Sequence, residues 1–122
     1  MYYVDTAYNS IHKFGEELCG DHIEQVTLDD CKILVLADGM GSGVKANILA
    51  TLTSKIAATM LREGASLEET IDTIVHTLPV CSQRHLAYST FTIVKVFKDG
   101  VVYVAEFDNP SIFVFKNGHD VP

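Results

Sequence analysis

The 122-residue chain has no tryptophan, three cysteines, three prolines and few basic side chains, and each shortage excludes something. Nine basic against sixteen acidic residues give a formal net charge of −7. That argues against nucleic acid or an anionic membrane as the main partner, because both need a dense positive face. No apolar run approaches the roughly 20 residues of a membrane span, and no signal peptide opens the chain, so the segment reads as soluble and cytoplasmic. Cys19, Cys31 and Cys81 are an odd number without a CxxC pair, which favours reduced thiols over a disulfide framework. The five histidines are scattered, with no HExxH or paired spacing, and a zinc site is not expected. Eight glycines and three prolines are ordinary usage, so collagen-like and low-complexity readings fall away. One domain is expected at this length.

What is present reads as mixed α and β structure. Tyr2 to Ser10 suits a strand, and a loop through Lys13 and Glu17 leads to Cys19-Gly20-Asp21-His22. A short segment, Ile23 to Leu28, ends at the turn-like pair Asp29-Asp30. Lys32 to Ala37 is a nearly continuous apolar run, the pattern of a strand buried on both faces, and it is expected to stop at Asp38. A helix follows over Val44 to Arg62, with Val44, Ile48, Leu49, Leu52, Ile56, Met60 and Leu61 as its core stripe and Gly64 at its C-terminal end. Ser66-Leu67-Glu68-Glu69 is a capping box, opening a helix whose Leu67, Ile71, Ile74, Val75 and Leu78 share a face until Pro79.

Cys81 to Tyr88 reads as a loop, and Ser89 to Lys98 as a strand with Phe91, Ile93 and Phe97 on one face and Val94 and Val96 on the other. Asp99-Gly100 is a hairpin signal before Val101 to Phe107, and Ile112 to Lys116 is a further strand. Asn117-Gly118 is another hairpin signal with four residues after it. A second strand is therefore expected to be missing, as in a truncated domain. The open final strand would invite pairing with a second copy of the chain.

The sharpest chemical feature is Asp38 followed by Gly39, Gly41 and Gly43. A carboxylate at a strand end can hold a hard cation in fixed geometry. The glycines admit a close approach, and the helix starting near Val44 presents its N-terminus to the same place, which favours an anion such as phosphate. A structural turn with Asp38 as a helix cap or surface acid carries equal weight on local pattern alone. A Walker A loop fails, because Val44 stands at its second glycine and Ala46 at its hydroxyl position. The GxGxG spacing also misses the dinucleotide pattern GxGxxG, so an unrelated phosphate-binding domain is disfavoured. Pairing across Asp29-Asp30 brings Asp21 near Asp38, since the two lie about equally far from the turn. Two carboxylates that close repel, which raises a proton affinity or recruits a cation, and divalent metals could sit as two ions around a shared water. Asp29 and Asp30 read as turn residues, His22 as a surface or packing residue, and Lys13 as a solvated lysine.

Gly20-Asp21, the buried strand ending in Asp38-Gly39-Met40-Gly41-Ser42-Gly43, Lys45-Ala46, the paired helices and Ser89-Thr90-Phe91 together resemble the SpoIIE branch of the metal-dependent type 2C (PPM) serine/threonine phosphatases. The resemblance implies an α+β fold, an α-β-β-α sandwich with metals at one end, and residues 1–122 as the N-terminal portion of one such domain. It implies two Mn²⁺ or Mg²⁺ ions, with Asp38 bridging both, Asp21 binding one and the Gly39 carbonyl completing a shell. Asp38 and Asp21 are thus the candidate catalytic and metal-binding residues. A water activated by the metals would attack phosphoserine or phosphothreonine on a phosphoprotein of the anti-sigma-factor antagonist kind. The parent protein would be a sensor, often anchored to the membrane, with this domain on the cytoplasmic side. Family members carry further metal-binding aspartates in the C-terminal half, so Asp21 and Asp38 make a partial set. The alternative is a non-catalytic regulatory or interaction module that keeps the fold.

Overall fold

The computed structural model describes residues 4–7, 21–40, 43–78, 88–107 and 112–121. Strands β1 (Asp21–Thr27) and β2 (Cys31–Met40) lead into helices α1 (Gly43–Arg62) and α2 (Leu67–Thr77). Strands β3 (Tyr88–Phe97), β4 (Val102–Phe107), β5 (Val114–Lys116) and β6 (His119–Val121) follow. The first four strands form one antiparallel sheet in the order β1-β2-β3-β4, while β5 and β6 form a separate two-stranded sheet. The class is the expected α+β, with an antiparallel sheet beneath a helical layer.

The expected elements return with informative shifts. β2 continues through Asp38 and Gly39 to Met40, because β3 pairs with it along the whole way: Asp38 with Thr90, Gly39 with Ser89, Met40 with Tyr88. A cross-strand ladder outweighs the turn preference of Asp-Gly. Residues 4–7 are not a strand. They attach through side chains instead, with Lys32 Nζ donating to the Val4 carbonyl at 2.8 Å and Thr6 Oγ1 to Gln25 Oε1 at 3.0 Å. The rest of the strand expected over Tyr2–Ser10 lies outside the described residues, as do Lys13, Cys19, Gly20, Gly41, Ser42, Pro79 and Cys81. Asn117 and Gly118 both take positive φ and turn the chain into β6, so the second strand of that hairpin is present. Three residues are enough to close it, and β5 is not an open final strand.

Strand alternation divides β2 into two faces. Cys31, Ile33, Val35 and Ala37 are buried toward the helices, with Val26, Phe91, Ile93 and Ile74. Phe91 stacks on its cross-strand partner Phe107 at 5.3 Å. On the other face Leu34 is half-buried and Leu36 is 40% exposed, so β2 is not buried on both sides. Among the described residues the helical layer covers one face only.

The caps behave as expected. Gly64 takes a φ of +98°, its N–H reaching Leu61 O and that of Ala65 reaching Met60 O, a paired closure that satisfies the last carbonyls of α1. The Ser66 hydroxyl accepts from Glu69 N at 3.1 Å while Ser66 N donates to the Glu69 carboxylate at 3.4 Å.

The core stripe of α1 is the expected one only in part, at Leu49, Leu61 and the half-buried Ile56. Ala46, Ala50, Thr53, Ser54, Ala57 and Ala58 are buried, with Leu49 and Leu61, whereas Val44, Ile48 and Leu52 are 62%, 50% and 43% exposed. Small residues let the helix axis come close to the sheet, and Thr53 and Ser54 satisfy their hydroxyls on Leu49 and Ala50 carbonyls inside the helix. The signal was in the sequence, as small residues at helical spacing, but large aliphatics carried more weight in reading it. Ile48→Lys is therefore expected to change stability by under about 0.5 kcal/mol. Ala57→Leu, which forces three more heavy atoms against the sheet, is expected to cost about 1–3 kcal/mol. Urea midpoints of the two variants check the assignment; the reverse order would restore the aliphatic stripe to the core.

Candidate metal centre

The turn at Asp29-Asp30 joins β1 to β2 and sets a register in which Asp21 stands directly opposite Asp38. Opposed residues of an antiparallel pair share a face, and their Cβ atoms lie about 4.5–5.5 Å apart. The two side chains therefore leave neighbouring strands side by side at the end of the sheet, on the face turned away from α1, with Asp21 exposed and Asp38 half-buried. Thr90 extends the row onto β3. It is 4% exposed, and its hydroxyl lies 3.5 Å from the main-chain oxygen of Asp38.

Gly39 faces the other way, toward the helix. A Cβ built on it would overlap the Ala46 carbonyl oxygen and lie 3.0 Å from the Ala46 Cα. The first turn of α1 thus rests on the backbone beside Asp38. That turn contains no acidic residue, and Lys45 in it is exposed.

His22 does not join the acids. It alternates to the helix-facing side, where Nε2 lies 3.1 Å from Glu24 Oε1. The same oxygen accepts from Lys55 Nζ, on α1, at 2.5 Å. The hydrogen bond from Lys55 lowers the pKa of Glu24, with His22 adding to it and partial burial opposing. A carboxylate with a depressed folded-state pKa adds stability that is present above the unfolded value near 4.5 and is lost as pH falls through the folded value. Lys55→Met is expected to flatten that acid limb, so the variant's stability should fall less than the wild type's between about pH 5 and pH 3. Urea midpoints against pH check this, and parallel profiles would contradict it.

Asp29 and Asp30 are turn residues, as expected, with the Asp30 carbonyl accepting from Lys98 N. A cavity of about 500 Å³ lined by Asp29, Asp30, Phe97, Lys98 and Asp99 lies at this far end of the sheet, away from Asp21 and Asp38. Among the described residues no three histidine, cysteine, aspartate or glutamate side chains come together. The acidic pair offers hard oxygen donors on one rigid ladder, which fits Mg²⁺ or Mn²⁺ in kind, with water left to fill the remaining positions. Sequence reasoning missed Thr90 as a neighbour of Asp38 and Lys55 as a partner of Glu24. The β2–β3 register and the docking angle of α1, which decide those contacts, have no local signature.

The model of the family described as Stage II sporulation protein E (SpoIIE) matches residues 29–122, which include Asp38, Gly39, both helices and β3 to β6. The chain belongs to the SpoIIE family. Asp21 lies ahead of the matched residues. Three solved structures share the fold of this SpoIIE chain. One, from work on the bacterial stressosome as a modular system that controls secondary messenger signaling, has a TM-score of 0.72 at 18% identity, covering 88% of this chain and 53% of its own. The PP2C phosphatase domain of the cell fate determinant SpoIIE from Bacillus subtilis, solved with a fragment of its regulatory domain, has a TM-score of 0.61 at 20% identity, with 89% and 37% covered. RsbX in complex with magnesium has a TM-score of 0.58 at 18% identity, with 84% and 61% covered. The chain thus spans between about a third and three fifths of these structures. No curated protein sequence matches it.

Proposed function

We propose that this chain carries part of the metal centre of a protein serine/threonine phosphatase that acts on phosphoserine or phosphothreonine of a small regulatory phosphoprotein in the cytoplasm. The observation that carries the reading is the direct opposition of Asp21 and Asp38 at a sheet end in a chain of the SpoIIE family. Asp21, Asp38 and the Gly39 carbonyl would hold Mn²⁺ or Mg²⁺, and the bound ions would lower the pKa of a water so that it attacks phosphorus. The strands fix the two carboxylates relative to each other. The exposed Lys45 and the first turn of α1, which holds no acidic residue, would draw the substrate phosphate toward them. Among the described residues no helix is long and apolar enough to cross a membrane. Pairing of two copies through a sheet edge belongs to the same reading, with β1 and β4 the outer strands of the four-stranded sheet among the described residues.

A second reading, a non-catalytic interaction module, draws support from the exposed stripe Val44, Ile48 and Leu52 on α1. The two part on one experiment: hydrolysis of a small phosphate ester by the full-length protein, with and without Mn²⁺, beside Asp38→Asn. Mn²⁺-dependent turnover that the substitution removes supports the phosphatase. Neither turnover nor Mn²⁺ binding by the full-length protein would leave the interaction module.

A further inference from the structure

We infer that Glu24 is a positioning residue: paired with Lys55, it ties α1 to the strand that carries Asp21 and so holds the acidic pair in place for a divalent cation. This rests on the metal-dependent reading above. Among the described residues β1 is an edge strand, laddered to β2 alone, and Asp21 is its first residue. A carboxylate at the end of an edge strand is the one most subject to fraying. Three residues further on, Glu24 faces the helix at 18% side-chain exposure and accepts from Lys55 at 2.5 Å and from His22 at 3.1 Å. α1 meets the other acid-bearing strand as well, where the Gly39 backbone abuts Ala46. One helix therefore touches both strands of the pair, β2 by close backbone approach and β1 by a charged strut.

Packing alone does not account for the strut. Val26, on the same face of β1, is 2% exposed and already supplies the apolar contact, while the Lys55 side chain is 61% exposed. An ion pair open to water adds little to global stability. Its effect is expected in where β1 sits, not in whether the chain folds.

The test uses the full-length protein as wild type, Lys55→Met, Lys55→Arg and Asp38→Asn. Mn²⁺ affinity is measured from the electron paramagnetic resonance of the free ion, and amide hydrogen exchange of β1 is followed in the metal-free protein. Lys55→Met is expected to weaken Mn²⁺ binding about three- to fivefold, the span an exposed pair can supply. It should also speed β1 exchange by a similar factor, while the unfolding midpoint at neutral pH falls only by the small amount that an exposed pair contributes. Lys55→Arg, which keeps the charge and the reach, should restore both. Wild-type affinity and wild-type β1 exchange in Lys55→Met would overturn the inference while leaving the metal reading intact. No Mn²⁺ binding by the wild type would overturn both.

Discussion

Asp38→Asn is expected to abolish Mn²⁺-dependent ester hydrolysis by the full-length protein while leaving the metal-free fold as stable as before, or slightly more so. The two effects have opposite signs because the carboxylate has opposite consequences with and without a cation. Without one, Asp21 and Asp38 are like charges directly opposite on neighbouring strands, a pairing that destabilises by a few tenths of a kcal/mol. With one, the same proximity supplies two anionic oxygen donors to a single site. Changing only an outer partner of a metal ligand costs about 10–100-fold in affinity or activity, so removing a ligand should exceed about 100-fold. Asp21 is the more exposed of the two and sits on the outer strand of the described sheet, so Asp21→Asn should follow the same pattern with a smaller loss. The measurement is paired: turnover against Mn²⁺ concentration, and the thermal midpoint in chelator. If Asp38→Asn lost activity and stability together, the residue would be a structural cap of the β2–α1 junction, and the ligand role would fall.

Much of this geometry could be read before any coordinates. The Asp29-Asp30 turn sits midway between Asp21 and Asp38, so a hairpin count alone brings the acids opposite each other, and the register does the same. The capping box at Ser66 and the glycine end of α1 are local signatures and came through unchanged. What did not come through depends on contacts distant in sequence. The end of β2 is decided by β3, some fifty residues later, so the Asp-Gly turn preference gave the wrong stop. Which side of α1 is buried is decided by how closely the sheet lets it approach. Alanines at 46, 50, 57 and 58 win that contact over larger side chains whose pattern looked more convincing. Thr90 and Lys55 reach the site by tertiary pairing, for which neither spacing nor residue type gives a rule.

Gly39→Ala carries the largest expected loss of stability, about 2–3 kcal/mol, because the added methyl has nowhere to go. The atoms it would meet are the carbonyl and Cα of Ala46, held in the first turn of a 20-residue helix, and backbone cannot rotate aside as a side chain can. Either α1 lifts from the strand or β2 gives up its pairing with Ser89. Both displace the residue next to Asp38. In a chain of this size the loss corresponds to a fall in thermal midpoint on the order of 10 °C. Gly64→Ala is the control that separates the mechanisms. Gly64 has a φ of +98° and nothing within 4 Å of an added Cβ, so its cost is conformational, about 1 kcal/mol. Gly39 lacks a positive φ, so its cost is close approach alone. It follows that Ala46→Gly should not rescue Gly39→Ala, since the obstructing atoms are main chain and remain after the methyl of Ala46 is gone. Recovery of the midpoint in that double variant, or a Gly39→Ala protein as stable as the wild type, would mean that α1 does not rest on the strand end. The acid after which the glycine stands would then owe its position to the β-ladder alone. A single loss at Gly39 that carries Mn²⁺ affinity down with it would mean the helix sets the place of Asp38, and that the glycine is there to let it.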